Sequence, residues 1–442
     1  MPFNPNIYRS YDIRGVVPDD LDAAEGYHIG RAYAHYTNAK KVVVARDMRQ
    51  SGVEIEKEVM RGLTEGGVNV ISIGMASTPM FYFAVHHLKT DGGLMVTASH
   101  NPAKYNGVKI TRAEAVPVGG DSGLMDIRDL VAKRTWPTSE NIGVVTTQDV
   151  RQAYLDLVTK NVQANNLNLV VDAGNGMVGM LLPEYFQKVG GNVTQLYWEP
   201  DGTFPNHEAD PLTAKNRVDA EKAVLQQKAD IGIMYDGDGD RVFFIDETGK
   251  TIPGDISLAL IAREFLKEHT GATILYDLRS SRATAEAIKE SGGRAVMSKV
   301  GHSNIKKQMR EEKAVFAGEV SGHFYFTPLY AESALLATGY IIRLMQESGQ
   351  RLSELVAPLM RYAKTEEINF EVEDKEAVLA KLKGQYSDAQ ILELDGISII
   401  YKNWWANIRP SNTEPLLRLN MEASTPELLV EKQAEIEAIL QG

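Results

Sequence analysis

The chain has 442 residues, and its 47 Lys and Arg residues against 59 Asp and Glu residues give a formal net charge of −12. This acidic balance argues against a nucleic-acid partner, while 43% hydrophobic residues suffice for about two to four domains with their own cores. The absence of cysteine from the sequence excludes disulfides, thiolate zinc sites and a cysteine nucleophile.

The N-terminal segment and the hydropathy pattern indicate where in the cell the protein is expected. Residues 1–14 are polar and lack the apolar stretch that a signal peptide needs. No run approaches the roughly 18 to 20 apolar residues of a membrane span. We therefore expect a soluble, cytoplasmic protein without a membrane partner.

One pattern of strands and helices occurs three times along the chain. In each copy a first strand ends at an aspartate, a helix ends at Gly-Gly, and a third strand runs into a polar cluster. The first-strand aspartates are Asp47, Asp172 and Asp277, and the glycine pairs lie at 66–67, 190–191 and 292–293. Such alternation predicts mixed or parallel sheets with right-handed crossovers, whose functional loops follow the carboxyl ends of the strands.

Two helix starts are predicted in the first copy. Ser51 and Glu54 have the spacing of a capping box, and Thr78-Pro79 has the pattern of an N-cap followed by a first-turn proline.

The last segment of the chain has a different pattern. It contains four predicted strands, at 367–373, 397–401, 405–408 and 416–422, and a helix from Thr425. This predicts an α+β domain with an antiparallel sheet. The predicted fold is therefore three similar α/β domains and a C-terminal α+β domain around a central cleft, with domains at 1–146, 147–246, 247–363 and 364–442.

Ser99 follows the third strand of the first copy, in Thr97-Ala98-Ser99-His100-Asn101-Pro102, and is the first candidate for chemistry. The alternative is an ordinary Ser/Asn/Pro turn. A Ser-His-Asp hydrolase is poorly supported, because the G-x-S-x-G elbow is missing and His100 is the immediate neighbour. Something other than a triad would have to activate this serine.

Asp236, Asp238 and Asp240 alternate with glycines after the third strand of the second copy. Three close carboxylates repel unless a cation joins them, so the loop suits a hard divalent ion, with a solvated acidic turn as the alternative. An EF-hand is rejected, because Arg241 occupies the position that requires glycine and both flanks are strands.

Two further loops offer polar groups. Glu319, Ser321 and His323 suit sugar hydroxyls, although a plain polar loop is the alternative. The segment 409–415, with Arg418 after it, offers donors for a phosphate dianion without a competing carboxylate, provided that Glu414 points away. A surface turn is the alternative there.

Taken in this order, the motifs resemble those of the α-D-phosphohexomutase superfamily, most closely its bacterial phosphomannomutase/phosphoglucomutase branch. The resemblance covers nearly the whole chain and begins at Tyr11-Asp12-Ile13-Arg14-Gly15. It implies reversible phosphoryl transfer between the 6- and 1-positions of a hexose phosphate, through phosphorylated Ser99 and a hexose 1,6-bisphosphate. Mannose phosphate, and also glucose phosphate, are the implied substrates.

The resemblance also implies site residues. Mg²⁺ would be held by Asp236, Asp238, Asp240 and the phosphoserine. Catalytic roles fall on Ser99, His100, Arg14, Lys109 and His323. Substrate-binding roles fall on Tyr11, Arg241, Arg279, His302, Glu319, Ser321, Arg409, Ser411, Asn412, Thr413 and Arg418. The expected assembly is a monomer or a weak homo-oligomer.

Two positions depart from the family pattern. Arg279 stands where the family often has lysine, and the sugar loop reads Glu-Val-Ser where Glu-Met-Ser is expected. Both changes keep the charge pattern, so they bear on sugar preference more than on the reaction. The alternatives are a phosphoglucosamine mutase, a sugar-phosphate phosphatase using the same serine, and a non-catalytic sugar-phosphate-binding protein.

Overall fold

The structure is a computed structural model that describes residues 3–137, 139–410 and 416–441. The chain forms two compact units. The first comprises residues 1–252 and 321–353, and the second comprises residues 253–320 and 354–442.

The first α/β domain contains a mixed six-stranded sheet. Its strands are β1 (Ile13–Val16), β2 (Lys41–Arg46), β3 (Asn69–Met75), β4 (Gly92–Val96), β5 (Tyr105–Arg112) and β6 (Val145–Thr147). Its helices are α1 (Ala23–Thr37), α2 (Gly52–Glu65), α3 (Thr78–His87) and α4 (Met125–Lys133). In the order β1-β5-β4-β2-β3-β6, the last four strands are parallel, while β1 and β5 run antiparallel to their neighbours.

Helices α1 and α2 of this domain pack unusually closely because glycines meet at their crossing. A Cβ atom on Gly30 would lie 2.4 Å from the carbonyl oxygen of Val59, and one on Gly62 would lie 2.2 Å from that of Tyr27. Any larger residue at either position would force the helices apart, since real Cβ contacts are not this short.

The second α/β domain contains a four-stranded sheet of β7 (Asn168–Asp172), β8 (Asn192–Leu196), β9 (Ile231–Tyr235) and β10 (Val242–Asp246). Its helices are α5 (Arg151–Val158), α6 (Leu182–Val189) and α7 (Val218–Gln227). The strand order is β10-β9-β7-β8; β8, β7 and β9 are parallel and β10 is antiparallel to β9.

The third set of elements is shared between the two units. In the second unit, β11 (Thr273–Asp277) pairs in parallel with β12 (Arg294–Ser298) and β13 (Phe316–Gly318). The helices of that part are α8 (Gly254–Glu268), α9 (Arg282–Glu290) and α10 (His302–Glu311). The antiparallel hairpin of β14 (Phe324–Phe326) and β15 (Ala331–Glu332), with α11 (Ala334–Ser348), belongs to the first unit. Helix α12 (Leu352–Val356) follows.

The C-terminal domain is an antiparallel sheet with two helices. Its strands are β16 (Ala363–Lys364), β17 (Ile368–Glu371), β18 (Gln390–Leu392), β19 (Ile397–Ile400), β20 (Trp404–Pro410) and β21 (Leu416–Ala423), and its helices are α13 (Lys375–Gln385) and α14 (Pro426–Leu440). The order is β16-β21-β20-β19-β18, and β17 also pairs with β21. The predicted fold class of three α/β domains and a C-terminal α+β domain is confirmed.

Both predicted helix starts differ in detail. Ser51 has helical backbone angles and makes no capping hydrogen bond; its Oγ accepts one of 2.9 Å from Asn106 Nδ2. Helix α3 is capped by Ser77, whose Oγ accepts from the amide of Met80, so Thr78 is the first helical residue. In the described part of the chain, no helix has the length and apolar character to cross a membrane.

Candidate active site

Ser99 lies in the turn between β4 and β5, and its hydroxyl is buried. The Oγ donates a 3.0 Å hydrogen bond to Asp236 Oδ2 and lies 3.1 Å from His100 Nδ1. The backbone of Ser99 has φ of +48°, a left-handed conformation that costs a non-glycine residue on the order of 1 kcal/mol or more. Such strain is typical of residues whose side chain must point in one direction.

His100 and Arg14 surround this serine. Burial and the nearby guanidinium groups of Arg241 and Arg14 hold the pKa of His100 well below its usual range, which favours the uncharged imidazole. Arg14, in β1, donates to the carbonyl of Ala98 at 2.5 Å and to Asn101 Oδ1 at 2.6 Å. It also pairs with Asp12. Arg14 therefore holds the serine turn.

Tyr11 lies just before β1, is half-buried and belongs to the first unit.

The three aspartates of the second domain lie in the tight connection from β9 to β10. Asp236, Asp238 and Asp240 are buried, and one carboxylate oxygen from each lies within 4.8 Å of the others. The amides of Gly239 and Arg241 donate to Asp236 Oδ1 at 3.0 and 3.1 Å. These bonds fix the loop in the curled form that brings the carboxylates together, as the alternating glycines predicted.

The aspartate loop packs directly against the serine turn. A Cβ atom on Gly237 would lie 2.6 Å from the carbonyl oxygen of Ser99, so only glycine allows this approach. Thr78, at the start of α3, ties the aspartate loop to the first domain, since its Oγ1 donates to Asp238 Oδ2 at 2.6 Å and its amide donates to the Asp238 carbonyl at 2.9 Å.

Lys109 supplies positive charge to the aspartates. From β5, its Nζ donates to Asp238 Oδ2 at 2.8 Å and to Asp240 Oδ2 at 2.6 Å. Burial lowers the pKa of Lys109, but the two carboxylates outweigh burial and raise it well above its usual value. Burial and the other two carboxylates raise the pKa of Asp236. Burial also raises the pKa of Asp240, but Lys109 and His323 outweigh it and hold that pKa well below its usual range.

The donor set fits a hard divalent cation. All of its side-chain ligands are carboxylate oxygens, which Mg²⁺ prefers. Asp238 Oδ1 is buried and has no hydrogen-bond partner within the residues that the structure describes. An orphaned buried carboxylate oxygen of this kind is what a bound cation would satisfy.

The hairpin after residue 320 adds His323 to the first unit's cluster. His323 Nε2 lies 3.2 Å from Asp240 Oδ1, and Ser321 Oγ lies 2.9 Å from His323 Nδ1. Arg241 Nε donates to His323 Nε2 at 3.3 Å. His323 is thus linked to the aspartate loop through both a carboxylate and a guanidinium.

A second polar cluster lies in the second unit, at the end of β11. Asp277 accepts hydrogen bonds from Arg279 Nη2 at 2.7 Å and from the amide of Val320 at 2.9 Å. Arg279 Nη2 also lies 3.7 Å from Glu319 Oε2, which accepts from the amide of Gly301 at 3.3 Å. Burial lowers the pKa of Arg279, but Asp277 outweighs burial and the net shift is upward.

His302, which follows Gly301, is the first residue of α10 and is half-buried. The second unit thus brings together Arg279, Glu319 and the start of α10, where His302 lies.

Arg409 and Arg418 share one carboxylate, which the sequence analysis did not foresee. Arg409 Nη2 donates to Glu367 Oε2 at 2.8 Å, and Arg418 Nη1 donates to Glu367 Oε1 at 3.1 Å. Asn420 Nδ2 is a third donor to Glu367, at 3.1 Å. The expectation of a phosphate loop without a competing carboxylate is therefore wrong, because Glu367, beside β17, is brought to these arginines by the sheet. Ser411, Asn412, Thr413 and Glu414 lie outside the described residues.

The motifs in the sequence did not identify four residues that contact the site residues: Thr78, Glu367, Asp47 and Arg49. Thr78 was interpreted only as a helix cap, and Asp47 only as the end of a strand. The one sequence feature that could have identified them is their position next to the start of a helix or an end of a strand. Their partners, however, lie many residues away in the sequence.

Comparison with known proteins gives the chain its family. Four domain models described as phosphoglucomutase/phosphomannomutase match in order: α/β/α domain I at residues 5–137, α/β/α domain II at 152–249, α/β/α domain III at 253–362 and the C-terminal domain at 367–439. Together they account for most of the chain.

Individual relatives match over nearly their full length. A phosphohexose mutase of Xanthomonas campestris pv. campestris is 39% identical over 98% of this chain and 99% of its own. A phosphomannomutase of Methanocaldococcus jannaschii is 38% identical over 98% of this chain and 97% of its own. A crystal structure of a phosphoglucomutase/phosphomannomutase family protein from Burkholderia thailandensis superimposes with a TM-score of 0.92 at 32% identity, covering 99% of this chain and 98% of that one.

The four-domain fold and the buried aspartate cluster define an enzyme of the phosphohexomutase class, an isomerase. The chain belongs to the phosphoglucomutase/phosphomannomutase family.

Proposed function

We propose that Ser99 is the phosphoryl carrier of a mutase that interconverts mannose 6-phosphate and mannose 1-phosphate, and also the glucose phosphates. The observation that carries this proposal is the hydrogen bond of Ser99 Oγ to Asp236 inside a buried carboxylate cluster. A serine in this position needs no triad, because phosphoryl transfer depends mainly on positioning and charge stabilisation.

The reaction is balanced within the sugar phosphate and the serine. A free sugar hydroxyl attacks the phosphorus of phosphorylated Ser99, the P–Oγ bond breaks, and a hexose 1,6-bisphosphate forms. The sugar hydroxyl loses a proton and Ser99 Oγ gains one. The bisphosphate then reorients. In the second half, Ser99 Oγ loses its proton and attacks the other phosphorus, the bond from that phosphorus to the sugar oxygen breaks, and the sugar oxygen takes up a proton. The serine is then phosphorylated again and the isomeric monophosphate is released.

Several side chains of the first unit are proposed to assist this transfer. His100, whose Nδ1 lies 3.1 Å from Ser99 Oγ, is proposed to exchange a proton with that oxygen during transfer. His323, which contacts Asp240 and Ser321, is proposed to move the proton of the sugar hydroxyl. Arg14 positions the turn, and Lys109 is proposed to stabilise the negative charge that spreads over the phosphoryl oxygens.

Asp236, Asp238 and Asp240, with the phosphoserine, are proposed to hold Mg²⁺. When bound, the ion would offset charge on the phosphoryl group.

Residues of the second unit are proposed to recognise the sugar phosphate. Glu319 and Arg279 are assigned to the sugar hydroxyls. In the first unit, Ser321 is assigned to the sugar hydroxyls and Tyr11 to the substrate. Arg409 and Arg418 are assigned to the phosphate that is not reacting, since planar guanidinium groups bind phosphate bidentately. His302, Arg241, Ser411, Asn412 and Thr413 complete the proposed substrate-binding set.

A coupled mutase assay tests this function. Mannose 1-phosphate, glucose 1-phosphate and glucosamine 6-phosphate are compared with catalytic hexose 1,6-bisphosphate present. Isomerised mannose and glucose phosphates, and no activity in Ser99→Ala, are expected. Release of free phosphate would instead indicate a phosphatase, and turnover of glucosamine 6-phosphate alone would indicate a phosphoglucosamine mutase. The cytoplasmic location and the monomeric or weakly oligomeric state stay predictions.

A further inference from the structure

Arg49 is a buried arginine that no proposed chemical step uses. It lies in the turn after β2, two residues beyond Asp47, and only 1% of its surface is exposed. Its Nε donates to Asp47 Oδ2 at 3.2 Å, and its amide donates to Asp47 Oδ1 at 2.9 Å. A buried guanidinium is costly unless it is paired and its N–H groups are used.

The remaining N–H groups of Arg49 are directed at the serine turn. Nη2 donates to the carbonyl oxygens of Ser99 at 2.8 Å and of Asn101 at 2.5 Å. Nη1 donates to the carbonyl oxygens of Pro102 at 2.8 Å and of Tyr105 at 2.9 Å. One side chain thus holds four backbone carbonyls along the segment that carries Ser99.

Asp47 holds the same turn from its other side. Asp47 Oδ2 accepts from Thr97 Oγ1 at 2.7 Å, and Thr97 Oγ1 accepts from the amide of Ser99 at 2.9 Å. The ion pair therefore acts on Ser99 from both sides: Arg49 binds its carbonyl directly, and Asp47 reaches its amide through Thr97 Oγ1. These contacts act on the residue whose φ of +48° is otherwise unfavourable.

A loop of the second domain covers the guanidinium. The ring of Phe204 lies over the Arg49 guanidinium with 5.2 Å between the guanidinium carbon and the ring centroid. A Cβ atom on Gly202 would lie 2.6 Å from Arg49 Cα, so this loop packs tightly on the Arg49 backbone. Exclusion of water strengthens the hydrogen bonds to the serine turn.

We propose that Arg49 is a positioning residue, which holds the Ser99 turn in the one conformation that directs Oγ at Asp236. The proposal rests on the proposed role of Ser99 as phosphoryl carrier. Arg49 does not touch the reacting atoms, so its loss misplaces the serine and leaves the sugar-phosphate contacts intact.

Arg49→Lys tests the proposal, because lysine keeps the charge but has no planar fork to reach four carbonyls. We expect kcat to fall about tenfold to a hundredfold, as for a misplaced reacting group, with KM for mannose 1-phosphate within about twofold of the wild type. Circular dichroism at the assay temperature should show a folded protein.

Arg46→Lys is the matched control. Arg46 ends the same strand; its guanidinium pairs with Glu56 at 3.2 Å and donates to the carbonyl oxygen of Asp47 at 3.0 Å, whereas the carbonyls of the serine turn are held by Arg49. Arg46→Lys keeps the charge, so its kcat should stay within about twofold of the wild type. Phe204→Leu is the second variant and decides the question if Arg49→Lys does not fold. It removes the ring over the guanidinium and should lower kcat about twofold to fivefold at unchanged KM.

Wild-type kcat in a folded Arg49→Lys protein would overturn the proposal, as would a rise in KM at unchanged kcat. If Arg49→Lys does not fold, unchanged kcat in Phe204→Leu would overturn it. Intact mass of the wild type separates this outcome from failure of the proposed function. A phosphorylated wild type with an unimpaired Arg49→Lys variant overturns only the role of Arg49, whereas a wild type that never carries phosphate contradicts the role of Ser99 itself.

Discussion

Ser99 Oγ lies 3.0 Å from Asp236 Oδ2, so the hydroxyl that follows β4 of the first domain meets the carboxylate that follows β9 of the second. Both groups are buried. Two strand ends from different sheets thus converge on one hydrogen bond. The fold thus brings the proposed nucleophile next to a candidate cation ligand.

Removal of one aspartate should remove activity much more than stability. Asp238→Asn keeps the hydrogen-bond acceptor for Thr78 but removes one charge from the proposed cation site. We expect kcat to fall at least about a hundredfold, while Tm stays close to that of the wild type. EDTA should abolish wild-type turnover and added Mg²⁺ should restore it.

Asp246→Asn is the control for this variant. Asp246 ends the same hairpin, and its carboxylate accepts from the amide of Thr248 at 2.9 Å, away from the cluster. Its activity should be nearly that of the wild type. If Asp238→Asn remained active after exhaustive chelation of divalent cations, the aspartate loop would have a role other than cation binding.

Arg409 should serve both directions of the reaction equally. If it binds whichever phosphate is not reacting, Arg409→Lys loses bidentate geometry and should lower kcat/KM at least about tenfold for the 1-phosphate and the 6-phosphate alike. Arg361→Lys, which alters an arginine paired with Glu286 and Glu290 at the surface, is the control. A defect in one direction only would argue against a shared phosphate site.

Glu319 should affect sugar recognition without affecting the serine. Its carboxylate accepts from the amide of Gly301 and lies near Arg279. Glu319→Gln should lower kcat/KM about tenfold for mannose and glucose substrates, since an unpaired buried polar group costs about 1 to 3 kcal/mol. Mass spectrometry should still find phosphate on Ser99. Glu290→Gln is the control. If the kinetics of Glu319→Gln were unchanged relative to this control, the loop that carries Glu319 would have only a structural role.

His207 gives the stability of the second domain a pH dependence. Its Nε2 lies 3.0 Å from Asp172 Oδ2, and its Nδ1 lies 2.9 Å from the carbonyl of Glu208. Burial lowers the pKa of His207, but Asp172 outweighs burial and the net shift is upward from 6.5. Because the folded pKa exceeds the unfolded one, the stabilisation is full below the unfolded pKa and is lost as pH rises through the folded pKa.

His207→Gln should therefore lower Tm more at about pH 6 than at about pH 9. Differential scanning calorimetry of both proteins across that range measures the difference. An equal loss of Tm at both values would show that the proton on His207 contributes nothing to stability.

Much of the architecture could be predicted because it is encoded locally. Strands that end at an aspartate and helices that end at Gly-Gly predicted the repeated elements, and the clusters at 97–102 and 236–241 lie at strand ends as expected. The close packing of the aspartate loop on the serine turn depends on Gly237, which was visible in the sequence, but its partner was not.

Contacts across long sequence separations could not be predicted. Glu367 reaches Arg418 across 51 residues because β17 pairs with β21 in a register that sets Asn369 opposite Arg418. Arg49 reaches Ser99 across 50 residues because β2 pairs in parallel with β4, so that the turns after the two strands lie side by side. Ser51 does not cap α2, since its own backbone is helical and its hydroxyl accepts from Asn106, a contact that no local pattern contains.

The most direct test of the central claim is a rapid-quench single turnover with the phosphorylated enzyme. Wild-type protein labelled on Ser99 is mixed with a limiting amount of mannose 6-phosphate, and the label is followed on protein, sugar and free phosphate. The account predicts that label leaves Ser99 and appears in a hexose bisphosphate at a rate no slower than kcat, and that Ser99→Ala neither takes label nor isomerises substrate. Isomerisation by folded Ser99→Ala protein, or direct release of the label as inorganic phosphate, would contradict it.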